Sequence, residues 1–350
     1  IKYVQPGQTI LLEGGRYSLY KTIKIETSVN GKPAKEGEDK YKNYIKMMAD
    51  PNAKERPVFD FNEAVTGMTL AGNYWYFKGF DVTRSLDGQK GIQLSGSNNV
   101  LDQVNAYKNG NTGIQVSGSG NDTYKYWPQN NLILNCSSFL NSDHGYEDAD
   151  GFAAKLTIGS GNVFDGCIAA YNADDGWDLF AKLESGQIGS VTIKNCVAYK
   201  NGYVLKNEQG KLDLEGAQTN AGNGNGFKMG GDGLPGGSIH DEDYKVDENG
   251  NPVFSGHKLI NSVAFANKSK GFDSNSCSNN KIRNSISFNN EGSNVALYTY
   301  SNVKTTGYET EGVISYRTKS KGVADEISAK NQNAADYTND TTYLWNIKEK

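Results

Sequence analysis

Three short segments of the chain share a pattern of a polar residue, a glycine and an aromatic residue. They are Asp148-Ala-Asp-Gly-Phe152, Asp174-Asp-Gly-Trp-Asp178 and Asn225-Gly-Phe-Lys228. The first two carry carboxylates around the glycine, and the third ends in a lysine. If the fold places the three segments side by side, carboxylates and a lysine share one patch, and we expect the chemistry there.

The composition fits a globular protein without a nucleic-acid or membrane role. The 350 residues are 36% hydrophobic, with 36 Lys+Arg against 40 Asp+Glu and no basic block. Apolar runs are too short for a membrane span. The chain begins at Ile and not Met, which is typical of a processed product, so we expect a secreted, periplasmic or cell-surface protein. We also expect the protein to act as a monomer. The 41 glycines, 21 tyrosines and only 7 prolines indicate an all-β fold.

An internal repeat begins at residue 76 and predicts the architecture. Each unit has a strand-like run ending in an aromatic residue, an Asn, a turn, and a Gly followed by an apolar residue. Without insertions the repeat is short: 22 residues separate Gly91 from Gly113, and 25 separate Gly151 from Gly176. This length suits one coil of a parallel β-helix with three short strands. An antiparallel sandwich is the alternative, but it does not explain a recurring Asn in every unit.

The repeat predicts ladders of equivalent residues along the helix axis. We expect the aromatic residues at 107, 139, 171, 199, 265 and 288 to form one inward stack. Asn109, Asn141, Asn201 and Asn267 should form an Asn ladder at a turn, with Asn172 offset by one. The cysteines have no metal-binding spacing and are predicted to be buried free thiols.

No linker divides the chain, so we expect a single parallel β-helix domain over residues 1–350. Residues 1–75 would form less regular N-terminal coils, and residues 76–295 the regular coils with the active site. Residues 296–350 would add C-terminal coils and a polar tail from Lys319 to Lys350. Insertions interrupt the turns near the acidic segments, notably over 202–224, and loops on a rigid scaffold are where binding residues concentrate.

Alignment of the units on their glycine predicts two columns of neighbours. Asp150 and Asp175 precede the glycine on successive coils, about one strand spacing of 4.8 Å apart. Two positions after the glycine, Asp178 and Lys228 become neighbours that point outward. Asp174 adds a further carboxylate to the patch.

Clustered carboxylates repel by about 1–4 kcal/mol per pair, so a cation must compensate. Calcium is the best fit because it takes six to eight oxygen ligands, and no His or Cys joins the cluster to favour zinc. The alternative is that these are ordinary Asp-Gly turns. For Lys228 the alternative to chemistry is an ion pair with Asp178 or Asp273.

These three segments, in this order on a right-handed parallel β-helix, resemble the family 9 polysaccharide lyases, which cleave pectic polymers. The resemblance covers roughly residues 60–300. It implies that Asp150, Asp174, Asp175 and Asp178 bind calcium and that Lys228 is the catalytic base of a β-elimination. An alkaline optimum would follow. Lys155 and Lys182 lie on the right coils to bind the carboxylates of an acidic pectic substrate, homogalacturonan or rhamnogalacturonan I.

Two other functions remain open at this point. One is a polygalacturonase-type glycoside hydrolase, which also uses an Asp pair. Its Gly-His-Gly and Arg-Ile-Lys signatures are not found, because His144 is followed by Gly and Tyr and residues 281–283 read Lys-Ile-Arg. The other is a non-catalytic, calcium-dependent glycan-binding protein.

Overall fold

The fold is a right-handed parallel β-helix, as the repeat predicts. A computed structural model describes residues 1–119, 123–241, 244–298, 307–318, 323–327 and 337–338. In this part of the chain, three parallel sheets of ten, eleven and ten strands run along the axis. The helical content described is one 3₁₀ turn, Tyr124–Tyr126.

Each coil contributes one strand to each sheet, and the strands are numbered in chain order. Sheet 1 contains β1 (Thr9–Leu12), β4 (Ile45–Ala49), β7 (Trp75–Lys78), β10 (Val100–Asp102), β13 (Leu132–Leu134), β16 (Asn162–Asp165), β19 (Val191–Lys194), β26 (Lys258–Ile260), β29 (Lys281–Arg283) and β32 (Glu309–Glu311). Sheet 2 contains β2 (Gly15–Ser18), β5 (Pro57–Asp60), β8 (Asp81–Thr83), β11 (Asn105–Tyr107), β14 (Ser137–Phe139), β17 (Ile168–Ala170), β20 (Val197–Tyr199), β27 (Val263–Phe265), β30 (Ile286–Phe288), β33 (Val313–Tyr316) and β35 (Tyr337–Thr338). Sheet 3 contains β3 (Ile23–Ile25), β6 (Met68–Leu70), β9 (Ile92–Leu94), β12 (Ile114–Val116), β15 (Phe152–Ala154), β18 (Trp177–Asp178), β23 (Phe227–Lys228), β28 (Phe272–Asp273), β31 (Val295–Leu297) and β34 (Glu326–Ile327).

The coils before residue 76 belong to the same sheets as the later ones. Ile45 pairs with Trp75, and Met68 pairs with Ile92, so the sheets pass through the expected boundary between N-terminal and regular coils. Most of the segment Lys319 to Lys350, expected to be a tail, lies outside the described residues. The single-domain organisation stays a prediction.

The prediction of an inward aromatic stack in sheet 2 is wrong. In these strands the middle residue is buried, as at Ala106, and the aromatic that follows is only partly buried. The rings instead stack on the outer face, with centroids 5.0 Å apart for Tyr107 and Phe139 and 5.1 Å apart for Tyr199 and Phe265. The interior beside sheet 2 therefore holds small side chains.

The Asn ladder is confirmed, but its predicted irregularity is wrong. The side-chain amides of Asn109, Asn141, Asn172, Asn201 and Asn267 link successive coils with distances of 2.9–3.0 Å. They also accept from the preceding coil's backbone, as from Asn109 N to Asn141 Oδ1 at 3.1 Å. Asn172 is in register, and Tyr171 is the displaced residue, since Phe139 pairs with Ala170 and Ala170 with Tyr199.

A second polar ladder, before sheet 1, was not anticipated. Asn99, Asn131 and Asn162 bond successive coils there, and His257 and Asn280 continue the same position. The cysteines are free and buried, as predicted.

Two antiparallel hairpins project from the turns that follow sheets 2 and 3. The first pairs β21 (Tyr203–Lys206) with β22 (Ala217–Asn220), and the second pairs β24 (Lys245–Val246) with β25 (Pro252–Val253). The described residues contain no helix of the length and hydrophobicity that a membrane span requires.

Candidate metal centre

Both columns predicted from the glycine alignment are present in sheet 3. Ala153 pairs with Asp178, and Asp178 pairs with Lys228. In the column before the glycine, Gly151 N donates to Asp175 O at 2.9 Å, which places Asp175 one coil beyond Asp150. The site is therefore built on three consecutive coils.

The aromatic residue after each glycine fixes these strands. Phe152, Trp177 and Phe227 are fully buried and stack in register, with ring centroids 4.8 Å and 4.7 Å apart. Because side chains alternate along a strand, the residues on either side of this inward stack face the outer surface of sheet 3. The stack thus holds Asp178 and Lys228 on the same outer face of sheet 3.

Three carboxylates meet closely enough to share a cation. Asp150, Asp174 and Asp175 each offer an oxygen, and these oxygens lie within 4.8 Å of one another. All three residues are at most 2% exposed. Backbone amides hold two of these carboxylates in place: Asn225 N donates to Asp175 Oδ1 at 2.7 Å, and Asn223 N donates to Asp174 Oδ1 at 2.9 Å.

The donor set fits calcium. It consists only of oxygens, which suit a hard cation, and no His or Cys ligand is among the residues of the triad. Two buried oxygens, Asp175 Oδ2 and Asp178 Oδ1, have no hydrogen-bond partner among the described residues. Both oxygens instead face the Lys228 ammonium at ion-pair distance, as expected of buried carboxylates that attract cations.

Two lysine ammonium groups compensate part of the negative charge. Lys228 Nζ lies 3.3 Å from Asp175 Oδ2 and 3.4 Å from Asp178 Oδ1, which is ion-pair distance without hydrogen-bond geometry. Lys155 Nζ lies 2.8 Å from both Asp150 Oδ2 and Asp178 Oδ2. Asp178 therefore sits between two cations.

The structure treats the two lysines expected to bind substrate differently. Lys155 follows β15 and is held inside the carboxylate cluster, with its side chain only 13% exposed. Lys182 is exposed on a turn after β18, where its carbonyl accepts from Gly186 N, and no ion pair joins it to the cluster among the described residues. The substrate role of both residues stays a prediction.

Burial and mutual repulsion raise the pKa values of most of these carboxyls. Burial is the largest cause for Asp150, whose pKa is raised to about 7 although Lys155 opposes the shift. Burial and the neighbouring Asp175 raise the pKa of Asp174 to about 10. For Asp178, burial is outweighed by Lys155 and Lys228, and its pKa is lowered. A further cation beside Lys155 and Lys228 would favour the ionised form of all four carboxyls.

Lys228 is protonated in this arrangement. Burial alone lowers the pKa of its ammonium, but the carboxylates of Asp178, Asp175, Asp150 and Asp174 outweigh burial and raise it well above the usual range. The amine can accept a proton only after those carboxylates are engaged by another cation.

Sequence reasoning missed several supporting residues. Thr112 Oγ1 donates to Asp150 Oδ2 at 3.2 Å, and Lys268 Nζ donates to Gly222 O at 2.6 Å in the segment that carries Asn223. Thr112 and Asn225 each precede the glycine of their unit, as Asp150 does, so the alignment of the units already places them in the same column. Lys268 contacts the 202–224 insertion, which is not part of the repeat, so the repeat could not predict these contacts.

The chain matches the family model described as Pel9A-like, right handed beta helix region, over residues 1–334. The chain therefore belongs to the Pel9A-like right-handed β-helix family. A relative named pectate lyase L from Paenibacillus polymyxa is 40% identical over 90% of this chain and 63% of its own length. Another pectate lyase L, from Thermoclostridium stercorarium, is 37% identical over 91% of this chain and 23% of its own length.

The solved structure of pectate lyase Pel9A is similar in fold and sequence. It superposes with a TM-score of 0.68 at 28% identity, covering 97% of this chain and 72% of that one. This Pel9A-like chain spans only part of the length of the curated relatives.

Proposed function

We propose that this chain is a calcium-dependent pectic lyase that cleaves a galacturonate-containing backbone by β-elimination with Lys228 as the base. The observation that carries the proposal is the position of Lys228 Nζ, 3.4 Å from Asp178 Oδ1 at the edge of an all-oxygen metal centre. The names of the relatives, pectate lyase L, favour pectate as the substrate over rhamnogalacturonan I.

Asp150, Asp174, Asp175 and Asp178 would hold the calcium ion. When bound, calcium would neutralise these carboxylates and the uronate carboxylate beside them, and so stabilise the negative charge that develops next to C5. The close approach of the Asp150, Asp174 and Asp175 oxygens, which lie within 4.8 Å of one another, supports this assignment.

Lys228 would remove the proton from C5 of a galacturonate. The C5–H electron pair forms the C4–C5 double bond, the C4–O bond breaks, and the leaving oxygen takes a proton. The products are a shortened chain and a 4,5-unsaturated uronate end. Since the amine must be neutral to act, and burial lowers its pKa once the carboxylates are engaged, the rate should rise with pH.

The insertion that carries the β21–β22 hairpin forms a wall beside the carboxylate cluster, because Asn223 N donates to Asp174 Oδ1 at 2.9 Å. Lys206 Nζ donates to Tyr146 OH at 2.7 Å, which ties this hairpin to the turn before Asp150. Such walls would exclude water around the reacting sugar. A polymeric substrate is too large to enter a cell unaided, so we place the activity outside the cytoplasm, with the chain acting as a monomer.

The proposal is tested by incubating the protein with polygalacturonate or rhamnogalacturonan I, each with calcium or with a chelator. We expect ultraviolet absorbance from unsaturated ends on polygalacturonate with calcium, and none with the chelator. New reducing ends without that absorbance would point to a hydrolase. Calcium-dependent retention on pectate without any product would make the chain a glycan-binding protein.

A further inference from the structure

The outer face of sheet 3 continues from the metal centre toward the N-terminal coils. Lys90 and Thr112 precede Asp150 in one column, since Gly91 N donates to Thr112 O and Gly113 N donates to Asp150 O. In the other column, Gln93 pairs with Gln115, and Gln115 pairs with Ala153. This surface lies one and two coils before Asp150 and meets the metal centre at Thr112, whose Oγ1 donates to Asp150 Oδ2.

Lys90 brings a positive charge to this surface. Its side chain is half-buried, and its ammonium forms no ion pair with a described residue. Burial lowers the pKa of Lys90, the Lys155 ammonium lowers it further, and Asp148 and Asp150 oppose the shift. Its place in the same column as Thr112 and Asp150 puts Lys90 on the side of sheet 3 that leads to the metal centre.

Gln115 leaves an unsatisfied acceptor on the same surface. The residue is 5% exposed, and its Oε1 has no hydrogen-bond partner among the described residues. Its Nε2 donates to Ser117 Oγ at 2.9 Å, which orients the amide. Gln93 is held in the same way, with Nε2 donating to Ser117 O at 2.7 Å. A buried acceptor of this kind needs a donor from a ligand or from water.

We propose that Lys90 and Gln115, two coils and one coil before Asp150, form a subsite for one uronate unit of the substrate. The Lys90 ammonium would bind the sugar carboxylate, and Gln115 Oε1 would accept a hydrogen bond from a sugar hydroxyl. The proposal rests on the proposed function for the orientation of the polymer along sheet 3. We expect this part of the outer face of sheet 3 to bind a polymer with acidic sugars, because a neutral sugar would leave the Lys90 ammonium without an ion-pair partner.

The position of the subsite decides its kinetic effect. Lys90 lies four coils before Lys228, about 19 Å at 4.8 Å per coil, so the sugar bound there is removed from the bond that is cut. An interaction at that distance contributes equally to the ground state and the transition state, and its loss raises KM with little change in kcat. Only substrates long enough to reach both Lys90 and Lys228 will be affected.

The test compares Lys90→Met, Lys90→Arg and Gln115→Leu with the wild type on oligogalacturonates of increasing length and on polygalacturonate. We expect Lys90→Met to raise KM about tenfold on the long substrates and to leave the shortest cleaved oligomer unchanged, with partial recovery in Lys90→Arg. Lys258→Met removes a half-exposed lysine from sheet 1, on another face, and serves as the matched control with unchanged kinetics.

A fall in kcat on all lengths, or no change on any, would overturn the subsite. Binding of polygalacturonate, measured by calorimetry without turnover, separates this inference from the proposed function. If the wild type binds the polymer but makes no unsaturated product, the proposed function fails, whereas weaker binding by Lys90→Met than by Lys258→Met still supports the subsite. Equal melting temperatures of the variants would show that folding is intact.

Discussion

Lys228 Nζ lies 3.4 Å from Asp178 Oδ1, and the two residues are direct partners on adjacent coils of sheet 3. The same carboxyl, through Oδ2, lies 2.8 Å from Lys155 Nζ. Asp178 thus pairs with two ammonium groups: that of Lys228, the proposed base, and that of Lys155, which lies inside the carboxylate cluster. A cation that takes over Asp178 changes the charge environment of both lysines at once.

Replacement of Lys228 should abolish lyase activity and leave the fold intact. We expect Lys228→Ala and Lys228→Arg to lower kcat on polygalacturonate about a thousandfold, since general bases contribute between a hundredfold and ten-thousandfold. Arg is included because it keeps the charge but does not deprotonate. Initial rates of unsaturated product formation measure the effect.

Lys194→Ala is the control for Lys228, because Lys194 faces outward on sheet 1 and pairs with Asp165. It should behave as the wild type. Turnover retained in Lys228→Ala at the wild-type rate would assign the base to another residue.

Removal of Lys155 should make the protein depend more strongly on calcium. Its ammonium pairs with two buried carboxylates, so Lys155→Met should destabilise the protein in chelator by about 3 kcal/mol. The emptied cluster is more negative and should bind calcium more tightly. Melting temperatures with chelator and with calcium, and calcium affinity from calorimetry, measure both effects.

Lys270→Met is the matched control for Lys155. Lys270 pairs with Asp273 at 3.5 Å, outside the triad, and its loss should change calcium binding little. If calcium raises the melting temperature of Lys155→Met no more than that of the wild type, the ion does not bind at this cluster.

The site could be predicted because the repeat fixes the relative position of its residues. A single glycine per coil sets the register, so Asp150, Asp175, Asp178 and Lys228 fall into two columns by counting alone. Lys155 could not be located in this way. Its side chain turns back from the end of β15 into the cluster, and that direction depends on charge and not on spacing.

The orientation of sheet 2 was mispredicted because hydrophobic residues were assumed to face inward. The side chain that faces the interior is the middle one of each strand, as at Ala106, and the ring that follows it stacks outside. Counting residues from the cysteines, and not from the aromatic residues, places Asn172 in register with the rest of the Asn ladder. Cys136, Cys167 and Cys196 each precede their ladder Asn by the same five residues.

The Asn ladder should contribute measurably to stability. Asn172 Nδ2 donates to Asn201 Oδ1 at 2.9 Å, and its Oδ1 accepts from Asn141 Nδ2 at 2.9 Å. Asn172→Ala removes these bonds to both adjacent coils and leaves the buried Asn141 N without its acceptor, which should lower the free energy of unfolding by about 3 kcal/mol. Denaturant titration measures it, with exposed Asn52→Ala as the control. A loss no larger than that of Asn52→Ala would contradict the role of the ladder.

His257 should make the protein sensitive to mild acid. It is buried where other coils have Asn, its Nδ1 accepts from Val191 N at 3.2 Å, and burial lowers its pKa to about 4 from an ordinary 6.5. Above pH 6.5 the imidazole is neutral in both states. As the pH falls from 6.5 toward 4, only the unfolded chain takes up the proton, so stability falls by about 3 kcal/mol over that window.

His257→Asn isolates this effect, because Asn is the residue of the same ladder at Asn162 and Asn280 and does not titrate. Unfolding free energies of both proteins are measured from pH 7.5 to 4. As the pH falls from 6.5 toward 4, the free energy of unfolding of the variant should rise relative to that of the wild type by about 3 kcal/mol, the amount that His257 costs the wild type. Parallel curves over the whole range would show that His257 takes up its proton equally well in the folded protein.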